Sequence, residues 1–108
     1  MTERELWLAA AEHFATPVSE RKFDHGNGEL PYNAVGLCTF VKWTMNAQRI
    51  TYAQAVAALC RMNKLPRGLL NWSYWWPCDP SGDAQRVAAA QQLAAMCEDE
   101  EAEAARVH

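Results

Sequence analysis

The chain has 108 residues, half of them hydrophobic, with 10 Lys and Arg against 13 Asp and Glu for a formal net charge of −3. That length holds one domain with a real core and excludes two. The apolar and aromatic content excludes a disordered chain, and the charge lacks the basic footprint of a general nucleic-acid binder.

Thr2 and Glu5 form a capping-box pattern that predicts a first helix from about Thr2 to about Ala15. Trp7, Ala10, Ala11 and Phe14 recur there at helical spacing, and Pro17 marks the stop. Residues 16–32 read as a loop, with the turn cluster His25-Gly26-Asn27-Gly28 between Pro17 and Pro31. A second helix is expected from near Asn33, with Ala34, Leu37, Cys38, Val41 and Met45 as its apolar stripe. Phe40 and Trp43 fall off that stripe, so this helix should be buried on more than one side.

Thr51 opens a third helix, and Gln54 completes a second capping box. Tyr52, Val56, Leu59, Cys60 and Asn63 are expected on its inner face. Pro66 ends it, because proline disfavours the α conformation in the residue before it. Arg61 and Lys64 sit in the last turn, where they complement the negative end of the helix dipole. The stretch from Pro66 to Pro80, PRGLLNWSYWWPCDP, reads as an ordered irregular connection with room for one short strand or helical turn.

A fourth helix should follow, with Asp79 as N-cap, Pro80 at its first position and Ala89, Ala90, Leu93, Met96 and Cys97 facing inward. Glu98, Asp99, Glu100, Glu101 and Glu103 hold five of the thirteen acids, and without them the chain would stand at +2. These acids repel at i,i+4 and oppose the dipole at a helix C-terminus, so fraying is expected there. The expected architecture is all-α: about four helices in a compact single domain over residues 1–97. An aromatic-rich ordered loop joins helices three and four, and residues 98–108 form an acidic, frayed tail.

Cys38, Cys60, Cys78 and Cys97 show no CxxC spacing and read as free thiols acting as small hydrophobes. No metal or cofactor is expected. Glycine-rich phosphate loops, GxSxG and HExxH are absent, and His13, His25 and His108 have no partners at catalytic spacing, so the reading is not an enzyme. The candidate binding residues are Trp72, Tyr74, Trp75 and Trp76, together with Arg67 and Arg86. Tryptophan and tyrosine supply large contact area at low entropy cost. Guanidinium groups beside aromatic rings suit a phosphate and a base. The same rings also suit closure of the core, and both readings stay open at this stage.

Three fragments carry a resemblance: Gly36-Leu37-Cys38 opening a helix, the Tyr74-Trp75-Trp76-Pro77 block, and Arg86 opening a final helix that ends Cys97-Glu98. In this order they resemble a group of short accessory proteins of tailed phages and prophages, over roughly the C-terminal two-thirds of the chain. The resemblance implies a phage-encoded interaction protein that binds a host protein and inhibits or redirects it. Some such proteins, anti-CRISPR proteins among them, block host defence. A small-ligand (nucleotide) binder using Arg67, Arg86 and an exposed tryptophan is the alternative. DNA binding through helices two and three is least favoured, because helix three offers mostly alanine where base edges need polar side chains. No stretch is apolar enough for a membrane span and the start lacks a signal-peptide pattern, which predicts the host cytoplasm. A homo-oligomer is left open.

Overall fold

Helices α1 (Glu3–Ala15) and α5 (Asp83–Val107) run side by side in opposite directions, and the rest of the chain packs around this pair. In the computed structural model, which describes residues 1–21, 36–74 and 80–107, every regular element is helical. A 3-10 turn at Val18–Glu20 follows α1, and a second at Pro80–Gly82 leads into α5. Between them lie α2 (Leu37–Asn46), α3 (Tyr52–Met62) and α4 (Arg67–Tyr74). The expected all-helical fold therefore holds, with five α-helices among the described residues in place of about four.

Local chemistry explains the boundaries. Thr2 caps α1 through its hydroxyl, which accepts from the Glu5 backbone N–H at 3.2 Å, while Glu5 accepts from the Thr2 N–H at 3.0 Å. Thr51 and Gln54 repeat the device at α3, at 3.1 and 2.7 Å. Each box satisfies two backbone donors that a helix start leaves open. Between α2 and α3 the chain reverses through Gln48, whose φ of 59° lies in the left-handed region. The Gln48 and Arg49 N–H groups donate back to the Met45 and Thr44 carbonyls at 2.9 and 3.1 Å, which closes the end of α2.

The core gathers Leu6, Trp7, Ala10 and Phe14 from α1, Leu37, Phe40 and Val41 from α2, and Ala89, Ala90, Leu93 and Ala94 from α5. Phe40 is buried and Trp43 half-buried, so α2 does pack on more than one side. Alanines in α5 let α1 approach closely. From α3 the buried residues are Ala55, Ala58 and Met62.

Three expectations are corrected. The inner face of α3 is not the stripe Tyr52, Val56, Leu59, Cys60 and Asn63: Tyr52 is 75% and Val56 42% exposed, Cys60 and Asn63 are exposed, and Leu59 is half-buried. The buried set has the same period but is shifted by one residue, a rotation of about 100°. The aromatic connection is not irregular over its first half. Residues 67–74 form α4, with Leu69, Trp72 and Ser73 at i, i+3 and i+4 on its inward side. Pro66 starts this helix, because its carbonyl accepts from the Leu69 and Leu70 N–H groups at 3.0 and 2.9 Å. Finally, α5 begins at Asp83 and is helical through Val107. Glu98 pairs with Arg4 at 3.3 Å and Glu100 with Arg61 at 2.6 Å. These cations offset the acid repulsion that predicted fraying after Cys97. Residues 22–32 of the loop proposed over 16–32, the Asn33 helix start, Ala34, Cys78 and the Asp79 cap lie outside the described residues.

Gly82 fixes how α4 meets α5. A Cβ there would overlap the six-membered ring of Trp72. Gly82→Ala should therefore destabilise the protein by about 1–3 kcal/mol, the usual cost of overpacking. Chemical denaturation checks this, and an unchanged midpoint would mean that Trp72 does not lie over Gly82.

Candidate functional site

Three places bear on function: the α4 region that carries the sequence candidates, the outward face of α3, and a cavity beside His13.

Of the sequence candidates, Arg86 lies on the first turns of α5 and is 2% exposed. Its Nη1 donates to Asp83 Oδ1 at 2.8 Å. Its guanidinium sits 5.4 Å from the Trp72 ring centre and 5.8 Å from that of Phe14. Arg21 reaches Asp83 from the other side and stacks 5.3 Å from Phe14. Two of the candidates, Arg86 and Trp72, thus meet in an interior cation–aromatic contact. Trp72 is half-buried, and Arg67 is exposed at the start of α4, at the other end of that helix. Tyr74 ends α4; its side chain, Trp75 and Trp76 lie outside the described residues.

The outward arc of α3 carries Tyr52, Ala53, Val56, Ala57 and Cys60. None is charged, and Tyr52 and Val56 are two of the four large hydrophobic residues left exposed among the described residues. Its surroundings are one-sided. Residues 36–74 contain Lys42, Arg49, Arg61, Lys64 and Arg67 and no Asp or Glu. Four of these cations are exposed, and Arg61 turns inward to α1 and α5. Five of the thirteen acids lie instead on the far half of α5. Sequence reading missed this face because it placed Tyr52, Val56 and Cys60 inside.

Arg61 holds the back of α3 in place. Its Nε donates to Glu3 at 2.5 Å and its Nη2 to Glu100 at 2.6 Å, and these bonds keep it firmly protonated. Burial pushes the Glu3 carboxyl up, but hydrogen bonds from Arg61, Trp7 and Cys97 outweigh it and hold the group below its ordinary value. The Cys97 thiol beside it is pushed up to about 12, first by burial and then by its contact with Glu3, so it stays protonated and unreactive. Among the described cysteines Cys38, Cys60 and Cys97 are free, and only Cys97 is fully buried. No group of three or more His, Cys, Asp or Glu among the described residues is placed to hold a metal ion, and no helix there is long and apolar enough to cross a membrane.

His13 sits on the buried side of α1, 7% exposed, with its ring 4.9 Å from Phe14 and 5.3 Å from Phe40. It borders a cavity of about 340 Å3 between α1 and α2. Burial lowers its pKa to about 4, and the nearby Arg21 cation adds to the shift. The imidazole is therefore neutral at pH 7. In the unfolded chain it titrates near 6.5, so between pH 6.5 and 4 the unfolded state binds a proton that the folded state does not. This contribution to stability is complete above pH 6.5 and is lost as the pH falls toward 4. We expect a loss of about 3 kcal/mol across that window. His13→Phe should flatten the profile there, as read by denaturant midpoints at successive pH values. An identical pH profile in the variant would show that His13 is not the group responsible.

No protein-family model matches the chain, and no curated protein or solved structure is significantly similar to it, so the function is argued from the sites themselves.

Proposed function

We propose that the chain is a protein-interaction module that binds a protein of the host cell and inhibits or redirects it, in the manner of the short phage accessory proteins its sequence resembles. The observation that carries this reading is the uncharged outward face of α3, with Tyr52 75% and Val56 42% exposed. An exposed helix normally turns polar residues to water; here tyrosine and valine project where solvent would favour charge. Ala53 and Ala57 beside them leave room for a partner helix to lie close.

Charge narrows the partner. Arg49 precedes the apolar face, and Lys64 and Arg67 follow it, with no acid anywhere in residues 36–74. The complementary surface is an apolar helix or ridge with acidic residues at its edge, and such complementarity speeds approach and fixes orientation. Basic DNA backbone contacts would suit the cations, but the α3 face offers methyl groups and one phenol where base edges need donors and acceptors. The nucleotide-binding alternative has less support, because Arg86 is buried beneath Trp72.

The test is affinity capture from host cells with tagged wild type and with Tyr52→Glu/Val56→Glu. Both positions are exposed, and an acid at Tyr52 in the first turn of α3 favours the helix dipole. The variant should keep the wild-type melting temperature to within a few degrees. It should lose the captured partner by about 2 kcal/mol or more in affinity, the size of an interface hot spot. Retention of the same partner at undiminished affinity would remove α3 as the binding surface.

A further inference from the structure

Two helical surfaces stand open among the described residues: the outward face of α3 and the last two turns of α5. The second follows from helix lengths. α5 is helical to Val107, but α1 begins at Glu3, which meets Cys97 at 3.2 Å, while Arg4 meets Glu98 at 3.3 Å. The chain before α1 does not continue along α5. It turns to α3, where the Met1 carbonyl accepts from Gln54 Nε2 at 3.0 Å. Residues 101–107 therefore form an arm of roughly 10 Å, at about 1.5 Å per residue, that runs past the start of α1.

The arm keeps the pattern of a packed helix. Ala104 follows Cys97 by two helical turns, and so continues the face by which α5 lies on α1. Cys97 is buried there, whereas Ala104 and its neighbour Ala105 are exposed. Glu101 and Glu103 flank the two alanines and are exposed as well. Acids in the last turns of a helix oppose its dipole. Arg4 and Arg61 offset Glu98 and Glu100, which lie before the arm. A short helix end without tertiary support is marginal in water, and this one is stabilised by an apolar surface with cations at its edge.

The α3 face is such a surface. Tyr52 and Val56 are exposed on it, and Ala53 and Ala57 beside them leave room for a helix to approach closely. The exposed cations Lys64 and Arg67 lie just beyond its C-terminal end, and residues 36–74 hold no acid to balance them. Two α3 faces set against each other would bring like cations together, and two arms would bring like acids together. An arm on an α3 face instead joins apolar surface to apolar surface and acids to cations. Within one molecule both surfaces are exposed, so the α3 face that an arm covers belongs to a second copy.

We infer that two copies of this chain pair by exchanging arms, residues 101–107 of each α5 lying along the outward face of α3 in the other, with Ala104 and Ala105 against Tyr52 and Val56 and with Glu101 and Glu103 beside Lys64 and Arg67. Each copy gives one arm and receives one, so the pair is isologous and closes on itself. The inference rests on the exposure of the α3 face and not on the host protein. The homodimer covers the surface assigned to that protein, so the two complexes exclude each other and the host protein must displace the arm.

The experiment is sedimentation velocity of the purified whole chain over a range of concentrations. Wild type should pass from monomer to dimer as concentration rises. The arm variant Glu101→Lys/Glu103→Lys and the face variant Tyr52→Glu/Val56→Glu change only exposed side chains. Each should dimerise at least roughly tenfold more weakly, because like charges then face each other or the apolar contact is lost. An equimolar mixture of the two variants decides the geometry. It holds one intact contact, the arm of the face variant on the α3 of the arm variant, and should dimerise more tightly than either variant alone. The inference is overturned by a wild type that stays monomeric, by an arm variant that dimerises like wild type, or by a mixture no better than its components. The host reading is tested apart from this: in affinity capture the arm variant should keep the host protein that the face variant loses.

Discussion

The salt bridge between Arg61 of α3 and Glu3 of α1 sets the arrangement on which the rest depends. Both side chains are mostly buried, 12% and 16% exposed, and Glu3 also accepts from the Trp7 indole at 2.8 Å and from the Cys97 thiol at 3.2 Å. A charge at such a depth is costly unless it is paired and hydrogen-bonded, and this pair meets both conditions. Because Arg61 must turn toward α1 and α5, α3 can have only one rotation about its axis. Ala58 and Leu65 lie on the same side and go inward; Tyr52, Val56 and Cys60 are carried outward. The exposed apolar face is therefore a consequence of the ion pair.

A second polar cluster closes the other end of the α1–α5 pair. Asp83, at the first position of α5, takes Arg21 from beyond α1 and Arg86 from its own first turn, with Phe14 and Trp72 stacked against the guanidiniums. The two clusters hold the antiparallel helices in register at both ends, with Leu6, Ala10, Ala90 and Leu93 packed between them. The register also brings Arg21 to the wall of the cavity beside His13. Charge divides along the fold: α2 to α4 bear exposed cations without acids, while α1 and the distal half of α5 carry acids.

Much of this was legible in the sequence where the cause is local. The Thr2 and Thr51 capping boxes placed two helix starts to within a residue, and the periodicity of α5 identified Ala89, Ala90, Leu93 and Cys97 as inward. What failed had distant causes. Arg61 reads locally as a complement to its own helix dipole, since nothing nearby announces partners in α1 and α5. Its real role decides between two apolar stripes of the same period, and side-chain size favours the wrong one: tyrosine and valine look more buried than alanine. The acids after Cys97 look self-repelling until Arg4 and Arg61 are folded against them. Arg86 was read as part of a surface site with an exposed tryptophan, and its burial against Trp72 depends on Asp83 and Phe14 closing around it. His13 could have been suspected, since it lies three residues after Ala10 on a buried helix face, but the cavity beside it needs α2 in place.

The most direct measurement of the central claim is a double-mutant cycle between α1 and α3. Glu3→Gln, Arg61→Met and the double variant would be compared with wild type by chemical denaturation. Each single substitution leaves a buried partner unsatisfied, so each should be strongly destabilising, and the double variant should lose much less than their sum. The account predicts a coupling energy of about 2 kcal/mol. Losses that add to within about 0.5 kcal/mol, as for independent sites, would contradict it, and the rotation assigned to α3 would lose its physical basis.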